Sequence, residues 1–279
     1  MPRAISRRRI AGAAATLAAA AAFGLPAAAE TYPSRPITYI VPYNPGGASD
    51  TIARLLAQRI EETTGQPVVV EYKTGAGGAI GANFLARAEP DGYTIMAGTT
   101  NFFHIIPRLQ QVEYDPATDL IAVAMTGESY LPLVVHPSVP VETFEELIAY
   151  ARANPNRLNF GSAGIGTGGH LVYEYLQEQA GIEMIHVPYG GASAVMNALV
   201  SGEVHLGMEA GTAEFVLDGR LRALAMLGER RWDRLPDVPP ITEAGMPGWG
   251  VRAWHTVLVP GGTPDETVQA LNALINGFL

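Results

Sequence analysis

The 279-residue sequence contains no cysteine. That excludes disulfides, thiol nucleophiles and cysteine-bearing metal sites, so the fold must be stabilised by core burial alone. Basic residues are scarce: 18 Lys and Arg stand against 27 Asp and Glu, a formal net charge of −9. Four of the arginines, Arg3, Arg7, Arg8 and Arg9, precede any acid, the first of which is Glu30; without them the net charge falls from −9 to −13. A chain so acidic does not hold DNA, RNA or an anionic membrane through its overall field, and any anion it binds must be met by local dipoles. Long apolar runs are missing too. The run from Ile10 to Leu25 falls short of the roughly 20 residues that cross a bilayer, and no later segment reaches that length, so membrane insertion is not expected. The six histidines, among them His104, His170, His186 and His205, form no i,i+3 or i,i+4 pair that would present a metal face. No metal and no cofactor is expected.

What is present begins with export. Arginines, then an apolar Ala-rich stretch, then Ala27-Ala28-Ala29 follow the order of a cleavable signal over residues 1–29. Ser6-Arg7-Arg8-Arg9-Ile10 also resembles a twin-arginine motif, which leaves the export route open. About 250 residues remain, enough for one large core or two smaller ones.

Along the mature part, strand, glycine-rich loop and helix recur. Ile37 to Val41 reads as a buried strand, Pro42 to Gly47 breaks it, and Ile52, Leu55, Leu56 and Ile60 repeat at helical spacing until Thr64-Gly65. Strands follow at Val68 to Val70 and Tyr93 to Met96, with a helix at Ala79 to Ala88 between them. The same order resumes after Leu131, with strands through Val134-Val135, Leu158 to Phe160, Ile185 to Val187, Val204 to Met208 and Leu224 to Leu227. Helices are expected at Glu142 to Ala153, His170 to Gln179 and Ala192 to Val200. This is the order of open, mainly parallel sheets covered by helices, in two lobes. The segment Val134 to Thr143 is echoed by Leu258 to Thr267: each is a strand ending in Pro, a loop, and a Pro-initiated helix. The echo reads either as duplication or as a common unit used twice. The expected division is lobe 1 over 30–130 plus 251–279 and lobe 2 over 131–250, with a hinge near 127–133 and 251–258.

Ligands of open parallel sheets sit beyond the carboxyl ends of the strands, here the loops Tyr43 to Asp50, Gly98 to Asn101, Phe160 to Gly169 and Met208 to Thr212. Their glycines let backbone amides approach an anion, and helix N-termini add favourable dipoles; a glycine can equally serve a tight turn. Gly164-Ile165-Gly166-Thr167-Gly168-Gly169 fits a dinucleotide fingerprint, but the next strand ends at Tyr189 without the acid that would take a ribose. Ser162 lies in a glycine-flanked turn, yet Phe160 breaks the G-x-S-x-G pattern. Asp50 reads as a cap that fixes its loop, His170 as a shaper of the glycine loop, and Glu209 as an acceptor for a ligand or a solvated acid. Tyr43, Phe102, Tyr130, Tyr189 and Trp254 are aromatic candidates for either a cleft or a core.

The motifs Tyr32-Pro33-Ser34-Arg35-Pro36-Ile37, Val41 to Asp50, Gly75-Ala76-Gly77-Gly78, Pro90-Asp91-Gly92-Tyr93-Thr94 and Val135-His136-Pro137-Ser138 run in one register with Ser162-Ala163-Gly164, His186-Val187-Pro188-Tyr189, Leu221 to Ala225 and Pro236-Asp237-Val238-Pro239. Together they resemble the Bug-type solute-binding receptors of tripartite tricarboxylate transporters. The resemblance implies a periplasmic, type II two-lobed binding protein, monomeric and without enzyme activity, which closes on a small organic carboxylate and delivers it to membrane permease subunits. A secreted hydrolase using Ser162, or a sensor for a membrane signalling partner, stands as the alternative. The resemblance assigns the ligand to Gly46, Gly47, Ala48 and Ser49 and to the facing Ser162, Ala163, Gly166 and Thr167. It makes Thr99, Thr100, Asn101 and the stretch around Glu209 the walls that distinguish ligands; Tyr43 and Tyr189 complete the candidate set. The family often carries Lys where this chain has Gly190, and an Asp-Asn pair where it has Glu209-Ala210, so the ligand is left open. Relatives run several dozen residues longer, and the chain stops at Leu279 inside an apparent helix. Either the chain is a fragment or its first lobe is truncated and lacks its closing helices, and the latter would expose Leu271, Leu274 and Ile275.

Overall fold

A computed structural model describes residues 32–249 and 252–277; the expected signal at 1–29 lies outside them. The first strand, β1 (Ile37–Val41), leads into α1 (Ala48–Thr64), which Gly65 ends in a left-handed conformation with its amide on the Glu61 carbonyl. Then come β2 (Val68–Tyr72), α2 (Ala79–Ala86) and β3 (Thr94–Thr99). A wide turn at Asn101–Ile105, in which the Ile106 amide reaches the Asn101 carbonyl, passes into the short α3 (Ile106–Leu109), and β4 (Leu120–Ser129) follows. The second half runs β5 (Leu131–Val135), α4 (Phe144–Ala153), β6 (Asn159–Ser162), α5 (Gly168–Ala180), β7 (Ile185–Pro188), α6 (Ala192–Ser201), β8 (Leu206–Gly207), α7 (Thr212–Leu217) and β9 (Arg222–Leu227). It closes with β10 (Ala253–Pro260) and α8 (Asp265–Asn276).

Two five-stranded sheets result, in the orders β2-β1-β3-β10-β4 and β7-β6-β8-β5-β9. In the first, β2, β1 and β3 pair in parallel, and β10 pairs antiparallel with both β3 and β4. The second has the same arrangement with β5 as the reversed strand. Four strands of each sheet therefore run one way and one runs against them. The sequence echo falls on matching places, since β10–α8 and β5–α4 are the reversed strand and following helix of the two sheets.

The core of the first sheet joins Ile40, Met96 and Leu258 to Ala82 and Leu85 of α2 and to Phe102 and Ile106. The second sheet buries Leu133, Phe160 and Leu206 against Leu147, Tyr173 and Leu176 on one face. On its other face Val134 and Val204 meet Val195 and Leu199. Helix α1 turns a different stripe inward from the one expected: Ala53, Leu56, Ala57 and Ile60 are buried, whereas Leu55 is 59% exposed. The period was right and the face was rotated, because small alanines form part of the contact. Another expectation is corrected at α8. Leu271 and Ile275 are fully buried, as the helix lies on β4 and Asn272 Nδ2 donates to the Val123 carbonyl at 2.6 Å; Leu274 is partly exposed.

Candidate functional site

The chain leaves the first sheet at Ser129 and enters the second at Leu131, with Tyr130 between them stacked on Trp232. The returning strand β10 pairs Ala253 with Ser129, and Ser129 Oγ lies 2.8 Å from His255 Nε2. On one side of this junction, beyond the carboxyl ends of β1, β3, β6, β7 and β8, lies a cleft of about 430 Å³. Its walls come from both sheets.

On the first side the loop after β1 supplies Tyr43, Gly46, Gly47, Ala48, Ser49 and Asp50. Gly46 has φ +89° and its amide donates to Asp50 Oδ2 at 2.8 Å, while Tyr72 Oη and Arg54 Nε donate to Asp50 Oδ1 at 2.7 and 3.0 Å. Burial pulls the Asp50 carboxyl upward, but the bonds from Tyr72, the Gly46 amide and Arg54 outweigh it and hold the group below the ordinary carboxylate range. Asp50 is thus a first-turn residue that ties the loop back, the N-cap position itself being Gly47. Thr99, Thr100 and Asn101 continue the wall, with Asn101 Nδ2 donating to Tyr43 Oη at 3.2 Å.

On the second side Ala163 and Thr167 line the cleft with Gly168, Gly169, Ala192, Met196, Met208 and Glu209. The N-cap residues Gly47 of α1, Thr167 of α5 and Gly191 of α6 give no side-chain acceptor to their first-turn amides. Thr167 instead donates its hydroxyl to the Gly164 carbonyl at 2.7 Å. Three uncapped helix starts therefore face one cleft, each carrying the positive end of its dipole. The walls also touch. Ser193 Oγ donates to the Pro45 carbonyl at 2.8 Å and the Asn44 amide to the Gly190 carbonyl at 3.4 Å. At Gly77, a Cβ would lie 2.8 Å from the Ile165 carbonyl oxygen.

Four candidates do not line the cleft: Ser162, Gly166, Tyr189 and His170. Ser162 is fully buried; its Oγ lies 2.6 Å from His186 Nε2, donates to the Gly164 carbonyl and accepts from the Gly164 amide. Burial, then the neighbouring His170, lowers His186 to about 4, so the ring is neutral at neutral pH. The pair has the look of a nucleophile and its base, but the hydroxyl has no surface from which to attack a molecule in the cleft. His170 stacks on His186 and its Nδ1 accepts from the Gly166 amide at 3.2 Å, so both histidines brace the loop from behind. Tyr189 points elsewhere and donates to Glu203 Oε1 at 2.8 Å. Of the aromatic candidates, Tyr43 and Trp254 line the cleft, Phe102 is core, and Tyr130 is stacked on Trp232.

Sequence reasoning missed Ser129, Arg252 and His255, which reach the cleft through the pairing of β4 with β10, a long-range event without a local signal. Ala192 and Met196 carried one: Gly190-Gly191 between β7 and α6 repeats the strand, glycine, helix grammar of the other loops. Among the described residues no helix is long and apolar enough to cross a membrane.

Residues 52–277 match the family model described as tripartite tricarboxylate transporter family receptor. Protein BugT of Bordetella pertussis is 35% identical over 265 residues, 94% of this chain and 81% of its own length. The structure of R. palustris Rpa4515 with adipate superposes with a TM-score of 0.85 at 37% identity, covering 88% of this chain and 84% of that one. MatC from Rhodopseudomonas palustris with bound malate gives 0.81 at 30% identity over 88% and 85%. The family match takes in every strand of both sheets except β1, and the chain belongs to the tripartite tricarboxylate transporter receptor family.

Proposed function

We propose that the chain is an exported, periplasmic receptor that closes its two lobes on a small organic carboxylate and hands it to membrane permease subunits. The observation that carries this reading is the meeting of three uncapped helix N-termini at one cleft. Amides and dipoles of that kind hold an anion without a fixed cation, as a chain of net charge −9 requires. The adipate and malate found in similar proteins support the carboxylate class. In this reading Tyr43, Gly46 to Ser49, Thr99 to Asn101, Ala163, Thr167 and Glu209 meet the ligand, while Asp50, Ser162, Gly166 and His170 shape its loops. Lobe 1 comprises 30–130 and 251–279, lobe 2 comprises 131–250, and the segments near 127–133 and 251–258 are the hinge.

A thermal-shift and calorimetric screen of mono-, di- and tricarboxylates against amines and sugars tests the proposal. A carboxylate at about 100 times its Kd is expected to stabilise the chain by roughly 2.7 kcal/mol. Ala163→Asp places a like charge in the cleft and is expected to weaken that ligand at least about a hundredfold, the few kcal/mol of one close charge pair at an effective dielectric near 20. No stabilisation of the folded protein by any carboxylate would overturn the reading.

A further inference from the structure

Glu209 is the acid of the cleft that the fold leaves without a task. It follows β8 and is partly exposed through the cleft; its backbone carbonyl accepts from the Thr212 amide and hydroxyl at 3.0 and 2.6 Å, but its side-chain carboxyl makes no hydrogen bond or ion pair among the described residues. Met196, Met208 and Val172 give the same cleft an apolar lining. The groups that share the cleft or act on the carboxyl do not neutralise it. Tyr43 from the loop after β1 and Tyr173 from α5 interact with it electrostatically, and burial raises both phenols, so they are neutral. Asp50 at the head of α1 is engaged by Tyr72, Gly46 and Arg54. From the strand β10 side, Arg252 lies 3.8 Å from Glu128 and from Glu229, and burial keeps His255 neutral.

With no cation assigned to it, this carboxyl rests in its protonated form; desolvation lifts it to about 8. A ligand acceptor uses that form as it stands, whereas a ligand ammonium first requires it to ionise. Among acceptors a carboxylate takes the strongest O–H···O⁻ bond. Resting on the reading of the cleft as a carboxylate receptor, we infer that Glu209 selects for a second carboxylate, donating one hydrogen bond to the far end of a diacid whose near end lies at the heads of α1 and α5. One proton is shared between two carboxylates, and no other bond forms or breaks. Ionised Glu209 would lose the donor and add a like charge.

Calorimetry on the full chain with adipate, malate and the monocarboxylate hexanoate, from pH 6 to 9.5, provides the test. Wild type is expected to bind a diacid with constant affinity between pH 6 and 7, then to weaken toward tenfold per pH unit above about 8. Glu209→Gln keeps a donor and removes the titration, so its affinity is expected to stay level up to pH 9, while Glu209→Ala binds diacids weakly throughout. Hexanoate is expected to bind more weakly than adipate and without the alkaline fall. Near-UV dichroism checks that each variant is folded, and the wild-type profile stands without either of them. Diacid affinity that ignores both substitutions, or an amine ligand whose affinity rises through pH 8 and vanishes in Glu209→Gln, would overturn the inference while leaving the receptor reading in place. Failure of every carboxylate to bind wild type at any pH would take down both.

Discussion

Two carboxyls line the same cleft and are displaced in opposite directions. Asp50 sits below its ordinary value through its donors, so its stabilising effect is present above the unfolded value near 4 and is lost as pH falls through the folded one. Asp50→Asn is therefore expected to flatten the acid limb of a stability-against-pH curve and to loosen the Gly46 loop, read as faster amide exchange at Gly46. Glu209 has the reverse sign. Its folded value of about 8 lies above the unfolded one, so the fold is favoured while the group is protonated, and that advantage fades as pH rises. Neutral at every pH, Glu209→Gln is expected to stabilise the unliganded chain at pH 9 relative to wild type by roughly 3–5 kcal/mol, measured by urea unfolding. Sequence reading already makes Asp50 a cap that fixes its loop and leaves Glu209 open between a ligand acceptor and a solvated acid; the donors around Asp50 and the desolvated, unbonded carboxyl of Glu209 are what the chain order does not show.

Helix starts and strand pairings differ in how far local chemistry reveals them. The helix α4 begins at Thr143, whose hydroxyl accepts from the Glu146 amide at 3.1 Å, while Glu146 accepts from the Glu142 amide in return. Thr143→Ala is expected to cost about 1 kcal/mol in urea unfolding and to leave ligand affinity unchanged, since α4 lies outside the cleft. Helix periods, glycine stops such as Gly65, and the four strand-end loops were all legible in the sequence for that reason. The ten-residue β4 was not. Its burial does not alternate cleanly, and register shifts against β10 break its period between His255 and Thr256 and between Val257 and Leu258. The cleft was read through its glycine loops, while the residues that β10 brings to it were hidden by a separation of more than 120 positions from their partners in β4.

At the scale of the molecule, the two lobes are held by more than whatever lies between them. Ser193 and the Asn44 amide bond directly across the cleft mouth. Removing one such bond with Ser193→Ala is expected to raise the ligand off-rate about fivefold, the equivalent of roughly 1 kcal/mol, with little change in on-rate, measurable by stopped flow. The reversed strands carry a different consequence, one of timing. All strands of the second sheet lie within Leu131 to Leu227, so that sheet can assemble as soon as this stretch exists. The first sheet cannot, because β3 and β4 do not pair with each other and β10 must enter between them. A chain threaded N-terminus first through a membrane would thus complete its second lobe while the first still waits, unsealed, for Ala253 to Pro260. The jaw with the earlier residues is the later one to set.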